Sequence, residues 1–379
     1  MPSPPSDPHK IEGLPRRDIW LLPLISILTV LGLFVAAEVA SRLIWPEQLI
    51  NACRIPDPVL DFRYRPNCSS TMKASEGPWY TNNYNACGYR SDAPCGPTPA
   101  GSLRIAVIGS SLSEGYLVEY PNTIAARVGT ELTEMCGIPV EVQNLGGIGY
   151  SGDLWLPRMD EALRLRPTAV LLVINPFELE TAAPAETHAA APDGTSLQKL
   201  LFEKLKESRA FAMAQHFLFR NASVYLPLYL RYGDKADFLR PPFSARWSER
   251  LQILDRLIGA LADKTHQAGG VPLMLAFVPQ MAQVMLMAGH TVPPGIDPTA
   301  LQTAIAAIAT GHGVLFADTS VALREKPTPE RLFYEVDGHL SGQGQPVAAA
   351  YIAQSYANAP GGPFADCHAR QPDSLASRP

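Results

Sequence analysis

Residues 103–115 read LRIAVIGSSLSEG. A strand-length apolar run, Leu103 to Ile108, stops at a glycine and gives way to small polar residues, the form of a β-strand entering a strand-to-helix turn. Gly109 lets the backbone bend sharply and leaves room beside the next side chains. Ser111 is thereby set at the end of the strand, where a sheet of this kind opens to solvent.

The same alternation continues downstream. From Pro121, suited to a first helical turn, Ile124, Val128, Leu132 and Met135 share one helical face. Val140 to Leu145 reads as a second strand, and Leu156, Met159 and Leu163 align on a helix starting near Gly152. Ala169 to Ile174 is apolar throughout, as a strand buried on both faces must be. After a less regular stretch come a helix at Arg250 to Ala262, a strand at Val271 to Phe277, a helix at Pro298 to Thr310, a strand at Val314 to Ala317 and a closing helix at Gln345 to Tyr356. Parallel strands need crossover connections, so this order predicts a three-layer α/β/α sandwich with a central parallel sheet over residues 101–360.

Upstream, Ile19 to Ala37 (IWLLPLISILTVLGLFVAA) carries no charge and, at about 1.5 Å per residue, spans a bilayer core. It reads as one transmembrane helix, residues 19–37. Lys10, Arg16 and Arg17 precede it, so residues 1–18 form a cytoplasmic tail and the rest lies outside the cell (inner) membrane, in the periplasm or its equivalent. Trp20 and Trp45 suit the two interfaces. Val35-Ala36-Ala37 offers a signal-peptidase site as the alternative, but the apolar run is longer than a usual signal sequence.

The chain has 379 residues, 46% of them hydrophobic, enough for a substantial core. Its formal charge of -5 is spread along the sequence with no Lys/Arg block, which excludes a nucleic-acid surface. All six cysteines (Cys53, Cys68, Cys87, Cys95, Cys136 and Cys367) follow the apolar segment, so disulfides are expected outside the cytoplasm. The first four allow three pairings among themselves. No CxxC is present and no Cys/His spacing suggests zinc, so no metal or cofactor is expected. Residues 38–100, rich in Pro, Asn and Cys, read as turns and short strands packed against the next domain, and residues 361–379 as a disordered tail.

Two motifs carry chemistry. Ser111 sits in the turn after the first strand, and Tyr334-Glu-Val-Asp337-Gly-His339 stands just before the last helix. A serine hydroxyl is a poor nucleophile at neutral pH and needs a base to take its proton and a carboxylate to orient that base. Asp337 and His339 supply both from one loop. Gly147-Ile-Gly149-Tyr-Ser-Gly152 fits GxGxxG, but it follows the second strand instead of the first and no acidic residue ends the next strand, so it is not read as a dinucleotide turn. Met281, Met285, Met287 and His290 fall in an irregular stretch and are read as core packing, with an adaptable substrate lid as the rival.

Together the serine turn and the Asp-x-His loop resemble the SGNH (GDSL) hydrolase family, whose nucleophile follows the first strand and whose Asp-x-x-His or Asp-x-His motif precedes the last helix. The resemblance covers about Leu103 to Tyr356, and TNNYNACGYRSD (residues 81–92) is similar to the lead-in of membrane-anchored members. It implies a flavodoxin-like sandwich, Ser111 as nucleophile, His339 as general base and Asp337 as its orienting acid. Gly149 would lend a backbone N–H to the oxyanion, beside that of Ser111. The sequence departs from the family at Ser110, where an aspartate is usual, and at Phe177, which aligns with the oxyanion asparagine of a Gly-x-Asn-Asp block matched to Asn175-Pro-Phe-Glu178. Either Asn175, two residues earlier, takes that place, or the two backbone donors suffice, and the sequence does not choose between them. The resemblance implies a serine ester hydrolase working through an acyl-enzyme on ester-bearing carbohydrate or lipid of the envelope. An O-acyltransferase, or a catalytically degenerate protein that binds carbohydrate or organises an assembly, is the alternative.

Overall fold

The computed structural model describes residues 16–181, 207–231, 233–365 and 367. They fall into two compact units, one holding the N-terminal helix with the residues up to Ala214 that follow 207, the other beginning at Glu47 and holding the rest.

In the first unit, helix α1 runs Arg16–Ile44, longer at both ends than the uncharged stretch 19–37. Its segment Arg17–Ile44, 28 residues, is long and apolar enough to cross a membrane. Leu31, Leu33 and Val35 are exposed along it, which suits a lipid environment and not a soluble core. Near its end Glu38 accepts from the Ser208 hydroxyl at 2.7 Å and from the N–H groups of Arg209 and Ala210 at 3.2 and 3.0 Å. Those amides open helix α6 (Arg209–Phe219), and a carboxylate at a helix N-terminus satisfies donors that have no partner within the helix.

The second unit is built on five parallel strands: β5 (Leu103–Gly109), β6 (Val140–Asn144), β7 (Ala169–Ile174), β8 (Leu273–Phe277) and β9 (Leu315–Asp318). Their order is β6-β5-β7-β8-β9. From β5 the chain steps first to β6 on one side, then back across to β7 on the other. This reversal opens a crevice at the carboxyl end of β5. Helices α3 (Ile124–Cys136) and α12 (Gly344–Ala357) pack together, as do α4 (Trp155–Arg164), α8 (Ala245–Gln267) and α10 (Ala300–Gly311), giving the expected layers. Every residue of β7 is fully buried, matching its unbroken apolar sequence.

Three findings revise the expected boundaries. The lead-in from Glu47 belongs to the same unit as the sheet, forming two antiparallel hairpins, β1 (Arg54–Asp57) with β2 (Asp61–Tyr64) and β3 (Ser69–Met72) with β4 (Tyr80–Asn83). Disulfides Cys53–Cys68 and Cys87–Cys95 select one of the three pairings, and Cys136–Cys367 joins the end of α3 to the C-terminal segment. The ordered chain therefore extends past 360: Phe364 is fully buried, 5.4 Å from the Tyr356 ring, and Cys367 is buried too. Residues 368–379 lie outside the described residues, as do 1–15 of the N-terminal tail. Finally, the methionine stretch is not irregular. Met281–Met287 is a helix, α9, with Met281 and Met285 in the core, while His290 is exposed beyond its end.

Candidate active site

Ser111 opens the short helix α2 (Ser111–Glu114) at the carboxyl end of β5. Gly109 makes the turn. Its φ is +134°, and a Cβ there would lie 2.1 Å from Ser113 Oγ and 2.7 Å from Val173 O, so only glycine fits. The turn is stitched to the loop after β6: Asn144 donates its amide to Ser113 O at 2.8 Å and accepts from Gly146 N–H at 3.0 Å, while Gly147 N–H reaches Gly109 O at 3.2 Å. Gly149 follows in that loop with φ +90° and open space where a side chain would stand.

The second motif forms a tight hairpin. Tyr334 N–H donates to His339 O at 2.9 Å, Gly338 N–H returns to Tyr334 O at 2.8 Å, and Phe333 bridges Leu340. The hairpin brings His339 Nε2 to 2.7 Å from Ser111 Oγ, and His339 Nδ1 to 2.5 Å from Asp337 Oδ1. Ser111, His339 and Asp337, separated by up to 228 residues, thus form one hydrogen-bonded line. Because a carboxylate only accepts, Asp337 fixes the imidazole proton on Nδ1 and leaves the Nε2 lone pair facing the hydroxyl. Burial alone would lower the His339 pKa, but Asp337, with smaller help from Glu178 and Glu114, raises it above 6.5. Burial raises and His339 more than offsets the shift at Asp337, whose carboxyl ends below its usual value. The Tyr116 ring stands edge-on to the imidazole, 5.1 Å between centroids.

The aligned block at the end of β7 is split. Phe177 is half exposed, with Lys235 Nζ 5.9 Å from its ring centre. Asn175 Oδ1 accepts from Glu178 N–H at 3.0 Å, at the start of helix α5 (Pro176–Thr181). Glu178 turns inward, buried, and takes a hydrogen bond from the hydroxyl of Ser110, directly before Ser111. Burial pushes its carboxyl up to about 8, despite hydrogen bonds from Ser110 and Asn175 N–H and the nearby His339.

Other residues of the site were not singled out individually by the sequence, although Tyr84 and Arg90 lie in the lead-in stretch 81–92. Glu114, the last residue of α2, is buried and accepts from Tyr84 OH at 3.0 Å, which in turn accepts from Asn51 at 2.7 Å. Buried Arg90 donates to the carbonyls of Glu114, Gly115 and Val118 at 2.7–2.8 Å, gripping the C-terminal end of α2. The lead-in thus supplies the floor of the serine turn. Among the described residues, Glu76, His216 and Glu335 also place three candidate metal-ligand atoms within 4.8 Å of one another. They line a cavity of about 500 Å³ with Arg220 and Tyr334; Ser111 and His339 are not among its lining residues.

Against models of protein families and against curated proteins the sequence has no match. Solved structures similar to it include a lipase/acylhydrolase from Enterococcus faecalis, at 14% identity and TM-score 0.37 over 68% of this chain and 96% of that one. Another is a catalytic mutant of an acetylxylan esterase from Geobacillus stearothermophilus, at 15% identity and TM-score 0.39 over 68% and 96%. Identities this low leave the chemistry to be drawn from this chain's own side chains. The layered parallel sheet bears out the α/β/α sandwich expected from the order of strands and helices.

Proposed function

We propose that the protein is a membrane-tethered serine esterase that forms an acyl-enzyme on Ser111. The observation that carries this reading is the 2.7 Å contact between Ser111 Oγ and His339 Nε2 in line with Asp337. In the proposed reaction His339 Nε2 takes the hydroxyl proton as Oγ attacks the ester carbonyl carbon. The carbonyl π electrons move to oxygen, and the N–H groups of Ser111 and Gly149 donate to that oxyanion. Collapse expels the alcohol, which leaves with the proton held by His339, and Ser111 keeps the acyl group. Water attacking by the reverse sequence makes the protein a hydrolase; a second alcohol in its place makes it an O-acyltransferase.

Asn175 is the proposed third donor in place of the asparagine replaced by Phe177, since its oxygen is engaged by Glu178 N–H and its NH₂ is the donor end. Location supports envelope esters, on polysaccharide or lipid, as substrates. Helix α1 is long enough to anchor the chain, the basic residues before it favour an outward-facing domain, and all six cysteines are paired, as suits an oxidising compartment.

The test is labelling of the full-length protein with a fluorophosphonate, together with turnover of a short-chain aryl ester. Both are expected in the wild type and absent in Ser111→Ala; a label that persists in the variant would falsify the nucleophile assignment. The exposed Phe177 favours one second reading, a domain that binds glycans without turning them over. That reading requires equal glycan binding by wild type and Ser111→Ala with no esterase activity in either.

A further inference from the structure

The hairpin that carries Asp337 and His339 is closed by its own backbone at Tyr334, Gly338 and His339, but the N–H groups of Val336 and Asp337 at its tip have no partner within it. Glu76, on the lead-in between β3 and β4, supplies one. Its Oε2 accepts both, at 2.9 and 2.8 Å, across 260 and 261 residues of chain. Glu76 Oε1 is held in turn by His216 Nδ1 at 2.7 Å, and the same nitrogen lies 3.1 Å from Glu335 Oε2 in the hairpin. Arg220 completes the ring, donating from Nε to Glu335 Oε1 at 2.8 Å and lying with Nη2 2.9 Å from His216 Nε2.

These four side chains read as a clamp and not as a cation site. Arginine has no acceptor, so His216 Nε2 must accept from Arg220 and the imidazole proton must sit on Nδ1, between the two carboxylates. The Nδ1 lone pair that a metal would need is already committed. Burial favours the neutral form of Glu76 and raises its pKa, while the hydrogen bonds from His216 and the two amides work against that shift. A partly desolvated carboxylate in such a setting is oriented strongly by its donors.

We infer, on the footing of the proposed esterase reading, that Glu76 is a positioning residue for the acid–base hairpin. It fixes the Val336 and Asp337 amides and so the place from which Asp337 orients His339, and His216, Glu335 and Arg220 fix Glu76. None of the four touches the reacting atoms. Misplacing a catalytic group by about 1 Å costs on the order of 10²-fold in rate, which sets the scale of the effect.

The experiment compares Glu76→Ala and Glu76→Gln with wild type in full-length protein, rates being expressed per site titrated with fluorophosphonate. Glu76→Ala is expected to lower kcat by roughly 10- to 100-fold with KM within about threefold, and to move the acidic midpoint of the kcat/KM profile downward. Glu76→Gln is expected to recover part of kcat, because its amide oxygen still accepts the two N–H groups while its NH₂ must turn away from the His216 Nδ1–H. The low-field proton resonance of His339 Nδ1–H should weaken in Glu76→Ala and persist in Glu76→Gln. A Glu76→Ala protein that keeps the wild-type kcat and midpoint per titrated site, whatever its melting temperature, overturns the inference. If wild type neither labels nor turns over ester, the esterase reading has failed and the resonance alone decides: unchanged in Glu76→Ala, it overturns the positioning role as well.

Discussion

The turn bearing Ser111 and the hairpin bearing Asp337 and His339 meet at one hydrogen bond, but they are held in place by different physics. The serine turn is enclosed. Gly109 admits no side chain, Leu112, Ser113 and Glu114 are buried, and Arg90 ties the carbonyls of Glu114, Gly115 and Val118 at and just beyond its C-terminal end. The hairpin lies at the rim, with the side chains of His339 and Asp337 20% and 28% exposed, and its tip is fastened by polar groups from the lead-in and from the end of α6. Under the proposed mechanism, the nucleophile, which must stay still, is fixed by close packing, whereas the base, whose proton must move, is fixed through hydrogen bonds that set its tautomer and direction. The comparison predicts that damage to the turn shows first in stability and damage to the hairpin first in rate.

Asp337→Asn should give the largest effect. The amide can present its NH₂ to His339 Nδ1, which moves the imidazole proton to Nε2 and removes the lone pair that takes the serine proton. A loss of about 10⁴-fold in kcat with little change in melting temperature is expected. The pH profile adds a sign. As the proposed base, His339 must be unprotonated to act, and its raised pKa is expected to move the acidic limb of kcat/KM upward. Removing the carboxylate that raises it should shift the residual activity's midpoint to lower pH. An unchanged kcat, or a midpoint that rises, contradicts the assigned role of Asp337.

What the sequence made legible divides along the same line. The sheet strands could be read because a strand buried on both faces is apolar without interruption, as Ala169–Ile174 is. Ser111, Asp337 and His339 stood out because each lies in a short polar motif at a strand or helix boundary. The clamp left no such trace. Glu76 and His216 are lone polar residues in unremarkable stretches, and Glu335, although it lies inside the Asp337–His339 motif, meets them only by folding; neither periodicity nor spacing records contacts over 115 to 261 residues. The α9 helix was missed for the opposite reason: MAQVMLM is buried on nearly every side, so it shows no polar face from which a helical period can be counted.

Gly109→Ala should produce the next largest effect, and on stability. A Cβ would meet Ser113 Oγ and the Val173 carbonyl at φ +134°, combining backbone strain with overpacking of about 1–3 kcal/mol each. A loss of about 3 kcal/mol or more, read as a drop in denaturant midpoint, is expected. Gly149→Ala is the control. Its φ of +90° carries strain of about 1 kcal/mol, but nothing lies within reach of the added methyl group. Equal losses in the two variants would mean that backbone conformation, and not enclosure, holds the nucleophile turn.

Glu178→Gln should have the smallest effect on rate and tests whether a buried carboxyl behind the turn behaves as packing or as charge. Ser110 and Glu178 each differ from the aspartates of the resembled motifs, yet they meet in a buried hydrogen bond. With its pKa raised by burial to about 8, Glu178 is mostly protonated at pH 7, and glutamine reproduces its shape and neutrality. Activity at pH 7 should therefore stay within about threefold of wild type, a change of less than 1 kcal/mol. Stability carries the signature. The folded state holds the Glu178 proton more tightly than the unfolded chain, where the pKa is near 4.5, so its contribution is fully present below about 4.5 and is lost as pH rises through 8. The melting temperature of wild type should fall relative to Glu178→Gln across that window. Parallel curves for the two proteins would show that Glu178 is ionised throughout, and the turn would then be held by a charge as the hairpin is.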